Sequence, residues 1–213
     1  MTPIQTPPSP PRDEGKDAIY TDRLGLDRLI FFSDAVFAIA ITLLALEIRL
    51  PPGLGELSNE ELRQQLVAIW PSYLGFAISF LVIGSFWMGH FRQFRCMTRY
   101  DNRLLFLNLC SLMAVAFIPF PTAVLSEFGD RTATIFYALA VAVVGVLKAV
   151  VGWYAERRDL IAPQTSAWER RQVIVRPLII TGVFLASIPV AFLNPTAAML
   201  FWLLLLPALR WAR

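Results

Sequence analysis

The chain has 213 residues, of which 56% are hydrophobic and 16% charged, with a formal net charge of +3 and a mean hydropathy of +0.57. A soluble domain of this length carries more charge and breaks its apolar runs sooner, so the composition specifies a one-domain polytopic membrane protein. The basic residues fall between apolar runs instead of forming a stripe, which argues against a nucleic-acid partner. Two cysteines without a CxxC pair and a single histidine argue against a structural disulfide, a structural metal or a cofactor.

Residues 1–26 begin with the proline-rich, charged stretch TPIQTPPSPPRDEGKD. It lacks the apolar core of a signal peptide and reads as a disordered tail. The first apolar run, from Asp27 to Pro52, covers roughly 30 Å as a helix between Leu29 and Leu50, about the thickness of a bilayer core. A turn-rich, acidic connection from Pro51 to Gln65 leads to a second run, Leu66 to about His90, and then a basic loop, Arg92 to Arg103. The third run, Leu104 to Leu125, carries Pro119 and Pro121, which predict a kink. A fourth run spans Thr132 to Tyr154 and a fifth Val173 to Leu193, with the charged loop Ala155 to Arg171 between them. Asn194–Pro195 makes a turn. The sixth run, Thr196 to Trp211, is short and ends on an interfacial tryptophan. Residues 27–213 thus form an all-α domain of six spanning helices.

Lysine and arginine set the topology. Arg12, Lys16, Arg23, Arg28, Arg92, Arg95, Arg99, Arg103, Arg157, Arg158, Arg170, Arg171, Arg210 and Arg213 all fall on one side, and only Arg49, Arg63 and Arg131 on the other. The asymmetry predicts both termini in the cytoplasm. The opposite connections carry Glu56, Glu60, Glu61, Glu127 and Asp130. They read either as a cation-concentrating mouth or as ordinary solvated loops.

Polar residues inside spans need partners or a function. This topology puts Arg28, Ser33, Asp34, Trp87, His90 and Asn108 at one depth, with Trp87 and His90 on one face at i, i+3. A network of Asp34 with Ser33, His90 and Asn108, balanced by Arg28, would satisfy them as a structural clamp. Ser33, Asp34 and His90 are also the residue types of a catalytic triad, but without the spacing of a nucleophile elbow, so no enzyme is expected. Lys148 and Arg176 read as snorkelling cations. Glu47 reads as a vestibule residue or a solvated helix end. Ile39, Leu43 and Leu46 recur on one face of the first helix, with Thr42 beside them; this is the wall of an ion pathway or a plain packing stripe.

The run Arg28-Leu-Ile-Phe-Phe32-Ser33-Asp34, followed by AVFAIAITLLALEI, resembles the R-x-x-x-F-S-D motif and pore-type helix of the transmembrane protein 175 family. The residues from Trp87 to Phe91, Asn108 and the Pro119–Pro121 stretch also look like that family, and the resemblance runs from Asp27 to the C-terminus as one six-helix repeat. It implies a tetramer whose first helices surround a pore that conducts potassium without a carbonyl filter. This sequence has no TVGYG-like loop. Matched residue by residue, Ile39 falls at the family's hydrophobic constriction. Leu43 and Leu46 fall at the next apolar layers and Thr42 at a hydroxyl layer, with K+ passing near Ile39 and Thr42. Arg28, Phe32, Ser33, Asp34, Trp87, His90 and Asn108 form the structural polar set. Ala35, Ala38 and Ala45 offer small faces for neighbouring helices. The resemblance to single-repeat members places the channel in the plasma membrane. The alternative is a proton-coupled or proton-conducting transporter working through Asp34 and His90; no inverted repeat with broken helices supports it.

Overall fold

The computed structural model describes residues 14–50 and 58–204, with side chains from 23 to 50 and from 58 to 203. The elements are α1 (Glu14–Leu46), α2 (Asn59–Ala68), α3 (Trp70–Arg95), α4 (Asn102–Phe117), α5 (Pro119–Phe128), α6 (Arg131–Arg157), α7 (Ala167–Leu193) and α8 (Pro195–Phe201), closed by a 3-10 turn at Trp202–Leu204. Among the described residues, five stretches are long and apolar enough to cross a membrane: α1 from Arg23, α3, α4 with α5, α6, and α7. The sixth run is described only through α8 and the turn. Trp211, Arg210, Arg213, Arg12 and the proline-rich residues 1–13 lie outside the described residues, as does Glu56.

Helices α2, α4, α6, α7 and α8 start where a side chain satisfies a free N–H group, whereas α3 and α5 start on a proline turn without one. Asp101 accepts from Leu104 N at 2.7 Å for α4, and Asp130 accepts from Ala133 N at 2.8 Å for α6. Ser58 with Glu61, and Ser166 with Glu169, form reciprocal capping boxes for α2 and α7. The first box makes a helix of residues expected to be a turn-rich connection, so the second span starts at Trp70–Pro71 instead of Leu66. Gly129 closes α5 with φ 57°, a left-handed turn that glycine adopts without a Cβ clash.

α1 also runs past its expected boundary, starting at Glu14 instead of Asp27. Just before Asp27 this helix is packed: Leu26 is buried in a cluster with Phe94, Met97, Leu160 and Ile161. That cluster sits where two loops cross, Thr98 N donating to Leu160 O at 3.0 Å and Ala162 N to Cys96 O at 2.7 Å.

The third run divides at Ile118, between α4 and α5, next to the prolines expected to kink it. Pro119 and Pro121 have no N–H to give, and Thr122 binds back to Ile118 O through both its backbone N and its hydroxyl. Ser79 joins Thr122 at 2.8 Å and Tyr137 at 2.9 Å, so α3, α5 and α6 are tied together in the buried interior. α6 is the central helix, with 56% of its most apolar stretch buried. Its Gly145 and Gly152 lie so close to α7 that a Cβ would meet Thr181 and Pro177 O at the first, and Val173 O at the second.

Candidate functional site: the uncovered face of the first helix and the buried polar pairs

The polar residues of the site resolve into three separate contacts instead of one network. Ser33, fully buried, donates to Leu29 O at 2.8 Å and accepts from Asn108 Nδ2 at 3.0 Å. Trp87 Nε1 donates to Asp34 Oδ1 at 2.9 Å. His90 Nδ1 lies 3.0 Å from Lys148 Nζ. Trp87 and His90 therefore diverge: the indole stays 41% exposed, whereas the imidazole is fully buried between Phe37 and Phe94, its ring centroid 5.6 Å from the first and 4.3 Å from the second. A 3-residue step on a helix leaves side chains about 60° apart around the axis, enough to send one into the bundle and leave the other on its flank. Ser33, with its hydroxyl bound to Leu29 and Asn108, makes no hydrogen bond to His90, and neither does Asp34.

Lys148 corrects a sequence reading. It does not snorkel; it is 3% exposed, its ammonium 5.1 Å from the Phe37 ring centre and bound to His90. Gln93 Nε2 donates to the Lys148 carbonyl at 3.1 Å. The neighbours Gly145, Ala149 and Gly152 carried the missed signal. Small residues on one face bring helices close, and a lysine among them has its stem enclosed. Among the described residues, His90 Nε2 and Asn108 Oδ1 are buried without a hydrogen-bond partner. Arg28 and Phe32 are exposed, and among the described residues Arg28 forms no salt bridge with Asp34. Arg176 is half-buried, with Nε 3.1 Å from Gln172 Oε1. Glu47 lies 3.9 Å from Arg49 at the far end of α1.

The opposite flank of α1 has no cover. Phe37, Ala40 and Leu44 enter the core, while Ile39 (59% exposed), Leu43 and Leu46 (63% exposed) face outward with Thr42. Of the five spans, α1 is the least covered by its own chain, with 22% of its most apolar stretch buried. The Thr42 hydroxyl gives its proton to Ile39 O at 2.9 Å, which leaves the oxygen lone pairs on the uncovered side. Ala35, Ala38 and Ala45 are exposed on the same flank. The geometry thus offers an apolar stripe with one hydroxyl beside it, on a helix held in place by Ser33–Asn108, Asp34–Trp87 and Phe37.

Comparison with known proteins supplies the context. Residues 28–119 match the family model described as "Endosomal/lysosomal potassium channel TMEM175". A potassium channel of Streptomyces collinus is 39% identical over 155 residues, covering 70% of this chain and 74% of the relative. The human endosomal/lysosomal proton channel TMEM175 is 26% identical over 208 residues, which is 97% of this chain and 39% of the human protein. The crystal structure of a lysosomal potassium-selective channel TMEM175 homologue from Chamaesiphon minutus superposes with a TM-score of 0.72 at 29% identity, over 87% of this chain and 97% of that one.

Proposed function

The chain belongs to the TMEM175 family of ion channels and is a multi-pass membrane protein; from that premise we propose that it forms a homotetrameric, potassium-selective channel whose pore is lined by α1. The observation that carries the reading is the uncovered stripe of Ile39, Thr42, Leu43 and Leu46 on the least buried span. Four copies of this stripe around an axis make stacked apolar rings. Such a ring gates by dewetting: when it is narrow, water and the hydrated ion are excluded together, and a small radial change admits both. Ile39 is the constriction, and the outward lone pairs of Thr42 replace part of the water that K+ sheds beside it. With few strong ligands at the ring, discrimination against sodium is modest.

In this reading the arginine-rich end, with both termini and the proline-rich residues 1–26, faces the cytoplasm of a plasma-membrane channel, and the residues after 204 complete a sixth span. Ser33, Asp34, Trp87, His90 and Asn108 position α1, and neither they nor the exposed Arg28 and Phe32 line the pore.

Proteoliposomes loaded with potassium, with sodium and impermeant-cation controls, test the proposal. Potassium efflux down its gradient, faster than sodium efflux and raised by Ile39→Asn, is the expected result. An Ile39→Asn channel that conducts like the unmodified protein refutes the constriction. The second reading, proton conduction, is favoured by the proton-channel name of the human relative and by the buried His90–Lys148 pair. Flux that requires a pH gradient and disappears in His90→Ala would replace the first reading with it.

A further inference from the structure

A cavity of about 220 Å³ opens between α3 and α7 at the arginine-rich end of the bundle. Arg92 and Arg95 from the last turn of α3, Arg176 from α7 and Lys148 from α6 line it, against one carboxylate, Glu169. That carboxylate is turned to its own helix cap, accepting from Ser166 N at 3.0 Å and Ser166 Oγ at 2.9 Å. Trp168 stands at the rim, half exposed, with the Arg176 guanidinium 6.0 Å from its ring centre. The wall toward the bilayer centre is apolar and open: a Cβ on Gly89 would meet no atom within 4 Å.

We propose that this cleft is a binding site for the headgroup of an anionic phospholipid. The shape and the charge agree on that occupant. A cavity of about 220 Å³ has room for a phosphate with a small polar headgroup. The acyl chains have an exit along the open Gly89 wall into the bilayer. Guanidinium groups bind phosphate oxygens by paired N–H donors. Basic pockets between spans on the cytoplasmic side suit acidic headgroups, and an exposed tryptophan marks the headgroup level. The site rests on the cytoplasmic assignment of the arginine-rich end made above. It is separate from the pore stripe, which lies on α1. Through Lys148, however, it touches the residue that binds His90, so an occupied cleft bears on the support of α1.

The test is titration of the purified full-length protein with dioleoylphosphatidylglycerol, read by native mass spectrometry. Dioleoylphosphatidylcholine serves as the neutral reference and inorganic phosphate as a soluble competitor. We expect a clear preference for phosphatidylglycerol. The triple variant R92Q/R95Q/R176Q should weaken it about a hundredfold, each arginine contributing roughly a fivefold factor at a charged surface. Gly89→Leu fills the cleft without removing a charge, and should weaken phosphatidylglycerol as well. Equal binding of the two lipids overturns the site, as does unchanged phosphatidylglycerol binding in either variant that elutes like the unmodified protein. Displacement of the lipid by millimolar phosphate would reassign the cleft to a soluble anion. Flux on the same preparations keeps the two proposals apart: absent flux with intact lipid preference counts against the channel, and intact flux without lipid preference counts against the cleft.

Discussion

The α6–α7 contact that encloses Lys148 can be tested with one methyl group placed at two positions. At Gly152 an added Cβ would lie 2.7 Å from Val173 O and 2.7 Å from Gln93 Nε2, the amide that donates to the Lys148 carbonyl. The carbonyl belongs to backbone and cannot swing away, so α7 must shift by several tenths of an ångström. Overpacking of this kind costs about 1–3 kcal/mol. At Gly182 the same Cβ would meet nothing within 4 Å. Replacing glycine by alanine inside a helix recovers about 1 kcal/mol of backbone freedom at either site. That gain cancels in the comparison, so Gly152→Ala should be less stable than Gly182→Ala by about 1–3 kcal/mol, the overpacking cost alone. Unfolding by sodium dodecyl sulfate titration in mixed micelles, followed by tryptophan fluorescence, measures the difference. Two variants of equal stability would refute the close approach, and with it the enclosure of Lys148 that removes it from the membrane surface.

Three further outcomes follow from the contacts at the site. Ser33→Ala and Asn108→Ala should each lower stability, and a double-mutant cycle should return a coupling of roughly 0.6–2 kcal/mol, as interhelical polar contacts do in membranes; additive losses would mean that the 3.0 Å contact carries no energy. Trp87→Phe removes the donor that holds the Asp34 carboxylate, so it and Asp34→Asn should reduce the yield of assembled protein on size exclusion before ion preference changes; normal yield with altered preference would contradict a positioning role. At the loop end of α4, burial pushes the Asp101 carboxyl up, but hydrogen bonds from Tyr154 and Leu104 N, with Arg158 nearby, outweigh it and hold the group below its usual 3.8. Its contribution to stability is therefore present above about pH 4 and lost as pH falls through the lowered value, and Asp101→Asn should flatten the acid limb of a melting-temperature profile.

Much of this protein was legible in its amino acids because membranes impose one-dimensional rules. The apolar runs, the arginine asymmetry, the proline break at Ile118 and the family motif at Arg28–Asp34 each follow from residue type and local spacing. So does the shared face of Ile39, Leu43 and Leu46, which helical period alone decides. Which face is covered is not local. Phe37 and Leu44 are as apolar as Ile39 and Leu43, and only the positions of α3, α4 and α5 bury the first pair and leave the second bare. The same holds for charge. Lys148 and His90 are 58 residues apart in the chain, and no period links them; their contact exists because α3 and α6 meet in the bundle. Hydrogen bonds form between groups that packing brings within about 3 Å, and packing depends on every helix at once. The sequence by itself determined that the chain is helical, spans a membrane and carries a channel motif; the tertiary structure decided which side chains that motif leans on.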